Sequence, residues 1–390
     1  KAPGALVVNG ANGTLLHGLR LEMLEWRSET LDLSADRLLI DIDLLPLLSR
    51  RVDVTRLDIR ALRLQLVPNG DQGPESGDSS IDLPVVISVA SATIDELVVQ
   101  RDGSEYEFSG TDFALALEGP RLDVSRLHTT GFGFHVEAAG RMRLTGDIRV
   151  RIDGQWRQLD DMAPGLAGRL ELDGTLRDLA LNHELSNPFV VASRGSVRLT
   201  DDAVELDIAN RWDRIDWSFD GQYFEASAGS LGLRGPLDSL TVDLETFARY
   251  ADLPETRIEL DATTDLESLE IDSLVVENPW GTGEFSGTVT RDPFPAADFD
   301  FRLLRVDPSQ VVPDLSGELT AEGSASLQFS EDGFAISVRG DSIAGTLNEQ
   351  FVTASTVFEY SPAFLDIQYA ELRVGSNMLR ATGRIAETLS

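Results

Sequence analysis

Apolar and polar residues change places at almost every step along this chain. Leu38, Ile40 and Ile42 alternate with Leu39, Asp41 and Asp43, and Leu62, Leu64 and Leu66 alternate with Arg63 and Gln65. The same alternation sets Ile148, Val150 and Ile152 against Arg149 and Arg151, and Leu170 and Leu172 against Arg169 and Glu171. It continues with Val204, Leu206 and Ile208 against Glu205 and Asp207, returns at Leu231 and Leu233, and sets Leu240, Val242 and Leu244 against Thr241 and Asp243. Successive side chains of a strand point to opposite faces, so a period of two gathers aliphatics on one face and charges on the other. The pattern predicts an all-β fold made of elongated, repetitive antiparallel sheet with one solvated face.

Helical patterns are few. Leu44 to Arg51 fits one or two turns, and Glu245 to Asp252 fits a short helix ending before Pro254. Both read as connectors between strands. A short motif also recurs. Gly140 to Gly146, Gly168 to Gly174 and Gly229 to Gly235 share their internal spacing, and Gly195 to Leu199 repeats the first half. The starts lie 28, 27 and 34 residues apart. Recurrence of a strand flanked by glycines argues for a stack of similar β units, with each glycine suited to a turn, bulge or bend. The clearest break is the Gly-, Ser- and Asp-rich stretch from Pro68 to Asp82. It divides the chain into an N-terminal β unit at 1–70, an acidic loop at 71–82 and continuing β repeats over 83–390.

Composition narrows the partners. The 390 residues carry 33 basic and 66 acidic side chains, a formal charge of −33, and Lys1 is the only lysine. Nucleic acid is excluded as a partner, since phosphate backbones need a basic footprint. The charge mainly serves solubility. There is no cysteine, and so no disulfide, thiolate nucleophile or Cys-based zinc site. The longest apolar run, about Leu83 to Ile94, is too short to span a bilayer. The opening Lys1-Ala2-Pro3-Gly4 has neither an initiator methionine nor a signal-like stretch, so a membrane anchor is expected outside this sequence.

Catalytic signatures are missing. No G-x-S-x-G elbow or phosphate-binding loop occurs, and His17, His128, His135 and His183 show no H-E-x-x-H spacing. His128 and His135, seven apart in a strand-like region, are expected on opposite sides. Asp71, Glu75, Asp78 and Asp82 cluster, but without the ordered alternation of a calcium loop. Trp26, Trp156, Trp212, Trp217 and Trp280 are too scattered for a sugar platform and read as packing residues. The chain is therefore expected to be no enzyme and to need no cofactor or metal.

An apolar sheet face must be covered or used. A closed sandwich or barrel gives the observed periodicity, and so does a curled sheet with an open mouth. In the second case the residues quoted above from Leu38 to Leu244 line a groove. Aliphatic walls suit acyl chains, because contact is non-directional and each buried CH₂ contributes about 0.8 kcal/mol without fixing a register. A surface offering sheet edges to other strands is the alternative, while a β-solenoid adhesin or polysaccharide enzyme is disfavoured by the dispersed aromatics.

Four stretches carry a family resemblance. They are Gly13 to Leu19 with Leu31 to Leu38 and Leu45-Pro46-Leu47-Leu48; Gly168 to Leu181 with Gly195 to Leu199; Asn278-Pro279-Trp280-Gly281 through Gly287 with Val306-Asp307-Pro308-Ser309 and Pro313 to Gly317; and Leu372 to Gly383. In order and spacing they span nearly the whole chain. On them the chain resembles the N-terminal periplasmic part of the TamB family, within the AsmA-like superfamily. The resemblance implies a taco-like β-sheet with a hydrophobic groove, periplasmic and anchored to the Gram-negative inner membrane. It implies passage of phospholipids between inner and outer membranes, partnership with a TamA-type outer-membrane barrel, and a role in outer-membrane protein assembly or autotransporter secretion. It supplies no catalytic residues.

Overall fold

The computed structural model describes residues 4–14, 18–28, 31–66, 85–101, 104–145, 147–159, 165–200, 203–219, 222–251, 253–291, 294–310, 312–330 and 333–386. The Pro68–Asp82 stretch, with its acidic cluster, lies outside them. The chain divides into two units, Lys1–Pro188 with Ser196–Leu199, and Phe189–Gly195 with Thr200–Ser390.

Unit one opens with β1 (Gly4–Asn9) and β2 (Asn12–Thr14), both antiparallel to β3 (Gly18–Ser28). Then follow β4 (Leu31–Asp43), β5 (Arg51–Leu66), β6 (Val86–Arg101), β7 (Ser104–Glu118), β8 (Arg121–Gly131), β9 (Phe134–Arg143), β10 (Arg149–Gln158), β11 (Ala167–Thr175) and β12 (Asp178–Asn187). Each is laddered to the strand before it. One joint departs from the antiparallel expectation: β5 and β6 run parallel. A parallel pair needs a crossover of a dozen or more residues, and 67–85 supply that length.

After β13 (Val191–Leu199), unit two runs β14 (Val204–Trp212), β15 (Ile215–Phe219), β16 (Gln222–Ala226), β17 (Gly229–Pro236) and β18 (Leu240–Tyr250). It continues with β19 (Thr256–Thr264), β20 (Ser268–Asn278), β21 (Gly281–Thr290), β22 (Ala296–Val306), β23 (Gly317–Ser330), β24 (Gly333–Leu347), β25 (Gln350–Ser361), β26 (Phe364–Val374) and β27 (Asn377–Ala386). The hairpin β15–β16 is inserted between β14 and β17, which pair with each other. From β17 on, every strand pairs antiparallel with the next. Among the described residues no ladder in either unit joins the first strands to the last. The units are open all-β sheets, not barrels.

The two helical expectations fare differently. Leu45–Ser49 forms a 3-10 turn ended by Arg50 in the left-handed region, at φ 59°. Glu245 to Tyr250 is extended rather than helical, and Asp252 lies outside the described residues. Residues through Tyr250 belong to β18, where Leu240, Val242, Thr246 and Ala248 are buried and alternate with exposed Thr241, Glu245, Phe247 and Arg249. Its neighbours β16, β17 and β19 satisfy its backbone groups, so tertiary pairing overrides a weak local preference.

Strict alternation breaks along one line across unit one. Leu21 and Leu24 of β3 share the apolar face although three residues apart, as do Ala35 and Leu38, Ile59 and Leu62, and Ile94 and Leu97. Each of β3–β6 thus carries one extra residue at the same level, and in β4 it is Arg37, held at φ 51°. A bulge that sits in every strand keeps the ladders registered and bends the sheet there. The buried cluster Leu21, Ala35, Leu38, Ile59 and Ile94 straddles this line.

Candidate functional site

The ladders convert alternation within strands into rows across them. In unit one, Ile42, Val54, Val89, Leu115, Val124, Gly140, Ile152, Leu172 and Leu181 stand directly opposite one another from β4 to β12. A parallel row runs Leu19, Ile40, Leu57, Ala92, Phe113, Leu127, Ala138, Gly154, Leu170 and His183. In unit two, one row passes through twelve strands without a polar side chain: Ile208, Leu233, Val242, Ala262, Ile271, Gly287, Phe299, Ala325, Val338, Phe358, Ile367 and Gly383. Directly opposed residues share a face, so these rows run continuously across each sheet. At about 4.8 Å per strand the longest covers on the order of 50 Å.

The residues picked out by alternation are distributed as follows. Leu38, Val150 and Val242 are buried, at 6%, 4% and 9% exposure. Ile40, Ile42, Leu62, Leu64, Ile152, Leu170, Leu172, Val204, Leu206, Ile208, Leu231, Leu233 and Leu244 lie in strands and are half-buried. Ile148 is half-buried just before β10, and Leu66 is placed by its ladder partner Leu31. Ladder partners put Leu38, Ile40, Ile42, Leu62 and Leu64 on one apolar face of unit one with Val150, Ile152, Leu170 and Leu172. They put Leu206, Ile208, Leu231, Leu233, Val242 and Leu244 on one face of unit two. The inner face of a closed sandwich is a core and is buried throughout. Here most of the face keeps access to solvent. On it Leu122, Val124, Leu127, Ala138, Met142, Val150 and Ile152 are among the residues lining an open hollow of about 100 Å³.

A family model described as TamB, N-terminal domain, matches this chain at residues 2–137 and at 133–390. The chain belongs to the TamB family. Among the described residues of this TamB-family chain, no helix is long and apolar enough to cross a membrane.

Several features of the TamB-type face escaped the alternation. Gly168 and Gly229, which open two copies of the recurring motif, stand directly opposite Trp156 and Trp212. A Cβ at Gly229 would lie 2.5 Å from Trp212 Cζ2, and one at Gly131 would lie 2.7 Å from Phe108 Cδ1. These glycines are beds for aromatic rings rather than turn residues. Recognising them requires the strand register, because each ring comes from another strand.

His183, at the end of an apolar row, stacks on Trp156 with ring centroids 5.8 Å apart and an interplanar angle of 11°. Trp156 Nε1 donates to His183 Nε2 at 3.2 Å, so that nitrogen must be unprotonated. Burial lowers the pKa of His183 below its ordinary 6.5, against the opposing charge of Glu184. A histidine favoured as neutral in the fold stabilises fully above the unfolded value, and that contribution falls away as pH drops through the folded one. Thermal unfolding between pH 8 and pH 5 is expected to lower Tm more for this chain than for His183→Phe, which keeps the stack and loses the titration. Equal losses would remove His183 as the source.

His128 and His135 do not face opposite sides. They lie on the two strands of a hairpin, β8 and β9, with rings 6.4 Å apart on the charged face. The six residues between them contain a turn, so counting along one strand misleads. The charged faces are laced by arginine–carboxylate pairs such as Arg126–Asp112 at 2.9 Å and Arg302–Glu322 at 3.0 Å. Glu371 is held below the usual carboxylate range first by its hydrogen bond from Arg380, at 2.8 Å, and then by one from Tyr369, at 2.9 Å. The pairs between exposed groups stabilise little individually and mainly keep this face in water.

Proposed function

We propose that the apolar rows bind acyl chains and that the protein is a non-enzymatic carrier. It moves phospholipids along a hydrophobic groove between inner and outer membranes, supporting outer-membrane homeostasis. In this reading it works in the periplasm, anchored to the inner membrane through sequence outside this chain and associated with a TamA-type outer-membrane barrel. The observation that supports the reading most is the row from Ile208 to Gly383, apolar through twelve strands and open to solvent over most of them, with Val242, Ala262 and Ile271 buried. Acyl chains cover such a row at about 0.8 kcal/mol per buried CH₂, and a contact without register lets them slide. Headgroups stay in water. No bond is made or broken, so no catalytic group is required.

Mass spectrometry of lipids extracted from the purified chain tests this directly. Phospholipid is expected to co-purify and to crosslink from a photoreactive residue at Ile40 or Leu206 far more than from one at Gln65 or Asp207 on the charged face. Equal labelling of both faces would refute the groove.

A second reading, a scaffold for outer-membrane protein assembly or autotransporter secretion, draws on β15. Among the described residues that strand has a ladder partner on one side only, β16. An unpaired strand edge is a template for an incoming strand.

A further inference from the structure

We propose that the rim formed by the ends of β8, β9 and β10 is a binding site for the phosphate of a phospholipid whose acyl chains lie on the adjoining apolar face. This rests on the groove reading and adds a headgroup station to it.

In a chain of net charge −33, cations should be dispersed and paired. At this rim they are concentrated. Arg121, Arg143 and Arg149 stand directly opposite one another across the three strands. Arg141 and Arg151 form the next pair two residues inward, so all five point to one face. Like charges directly opposed across a ladder are destabilising, and the local carboxylates answer them only in part. Asp123 is shared by Arg121 and Arg141, at 3.0 and 2.9 Å, and Asp173 lies 3.7 Å from Arg151. Glu118 opposes Arg121 in the β7–β8 ladder, and Asp147 precedes β10. Arg143 and Arg149 form no ion pair among the described residues. The five arginines and Asp173, with Pro120, Met142 and Val150, line a recess of about 500 Å³. Repulsion kept at a fold's edge, with a recess between the charges, is relieved by an anion. Guanidinium forks match phosphate oxygens through charge-assisted hydrogen bonds.

What selects a lipid over a free anion is the other side of the same strands. The recess and the apolar hollow share Arg141, Met142 and Val150 among their lining residues. Arg121 and Arg149 begin their strands and Arg143 ends its own, so these side chains stand where the charged face meets the apolar one. An amphiphile with an anionic head fits both surfaces at once.

The test titrates the full chain, at low salt, with dihexanoyl phosphatidylglycerol, inorganic phosphate and uncharged octyl glucoside. The expected results are binding of the phospholipid that weakens with added salt, and much weaker binding of inorganic phosphate. R143Q/R149Q should bind the phospholipid about tenfold more weakly, with octyl glucoside affinity unchanged. R143K/R149K, retaining charge, should bind more tightly than the glutamine variant. The glutamine variant should unfold at no lower temperature than the parent, because it removes repulsion. Wild-type phospholipid affinity in R143Q/R149Q, with octyl glucoside still bound, overturns the headgroup site and leaves the groove reading standing. A parent chain that binds neither amphiphile overturns both. Inorganic phosphate binding as tightly as the phospholipid overturns the lipid assignment in favour of a free anion.

Discussion

Arginine at Leu64 or Leu206 is expected to leave the chain folded and to cut lipid transfer between donor and acceptor vesicles at least about tenfold. Both positions are half-buried on the apolar faces, Leu64 paired with Leu33 and Leu206 with Gly235. An arginine stem lies along an apolar surface while its charged end reaches water, so the expected cost to stability is about 1–2 kcal/mol. The cost to a passing acyl chain is larger. The tail must either desolvate the guanidinium, an expense of several kcal/mol, or leave the floor at that point. A row is only as continuous as its worst position, so one charge interrupts transfer along a whole unit. The matched controls Gln65→Arg and Asp207→Arg place the same charge on the opposite face and should transfer lipid as the parent does. Circular dichroism and the unfolding midpoint establish that each variant is folded. A folded Leu64→Arg or Leu206→Arg chain with undiminished transfer would show that lipid does not travel on these faces.

Between bulges, alternation was enough to read the strand faces. A side chain's face is a property of its own strand, and a period of two records it locally. Ile152, Leu172 and Leu233 needed only their immediate neighbours. What involves two strands was not legible. The pairing of Trp156 with Gly168 and the shared bulge level of β3 to β6 each depend on register. So does the opposition of Arg121, Arg143 and Arg149. Register is fixed by turns and bulges, of which the sequence shows glycines and little else. Glu245 to Tyr250 was misread for a related reason: its helical preference is local, whereas the partners that hold it extended lie on β16, β17 and β19. The parallel joint between β5 and β6 was hidden too, since alternation is the same in both pairing senses.

If phase is what holds these sheets, two deletions of one residue should have unequal effects. Removing Asp300 from the middle of β22 leaves Phe299 in place and turns Phe301 and Leu303 toward the charged face, while Arg302 turns inward. A one-residue slip reverses every side chain beyond it. Phe301 and Leu303 sit in apolar rows opposite Phe285 and Gly283 on one side and Gly323 and Ala321 on the other. Losing two half-buried apolar side chains, about 1–2 kcal/mol each, and turning a charge inward should destabilise unit two by about 4 kcal/mol or more. Removing Arg37 acts differently. It is the extra residue of β4, in the left-handed region at φ 51°, and without it Ala35 and Leu38 become two apart and stay on the apolar face. The loss is confined to register against the bulged neighbours β3 and β5, and about 1–3 kcal/mol is expected. Urea unfolding midpoints, with hydrogen exchange on β21 to β23 and on β3 to β5, separate the two outcomes. Equal destabilisation by both deletions would mean that ladder register, and not the placement of apolar side chains on one face, dominates the stability of these sheets.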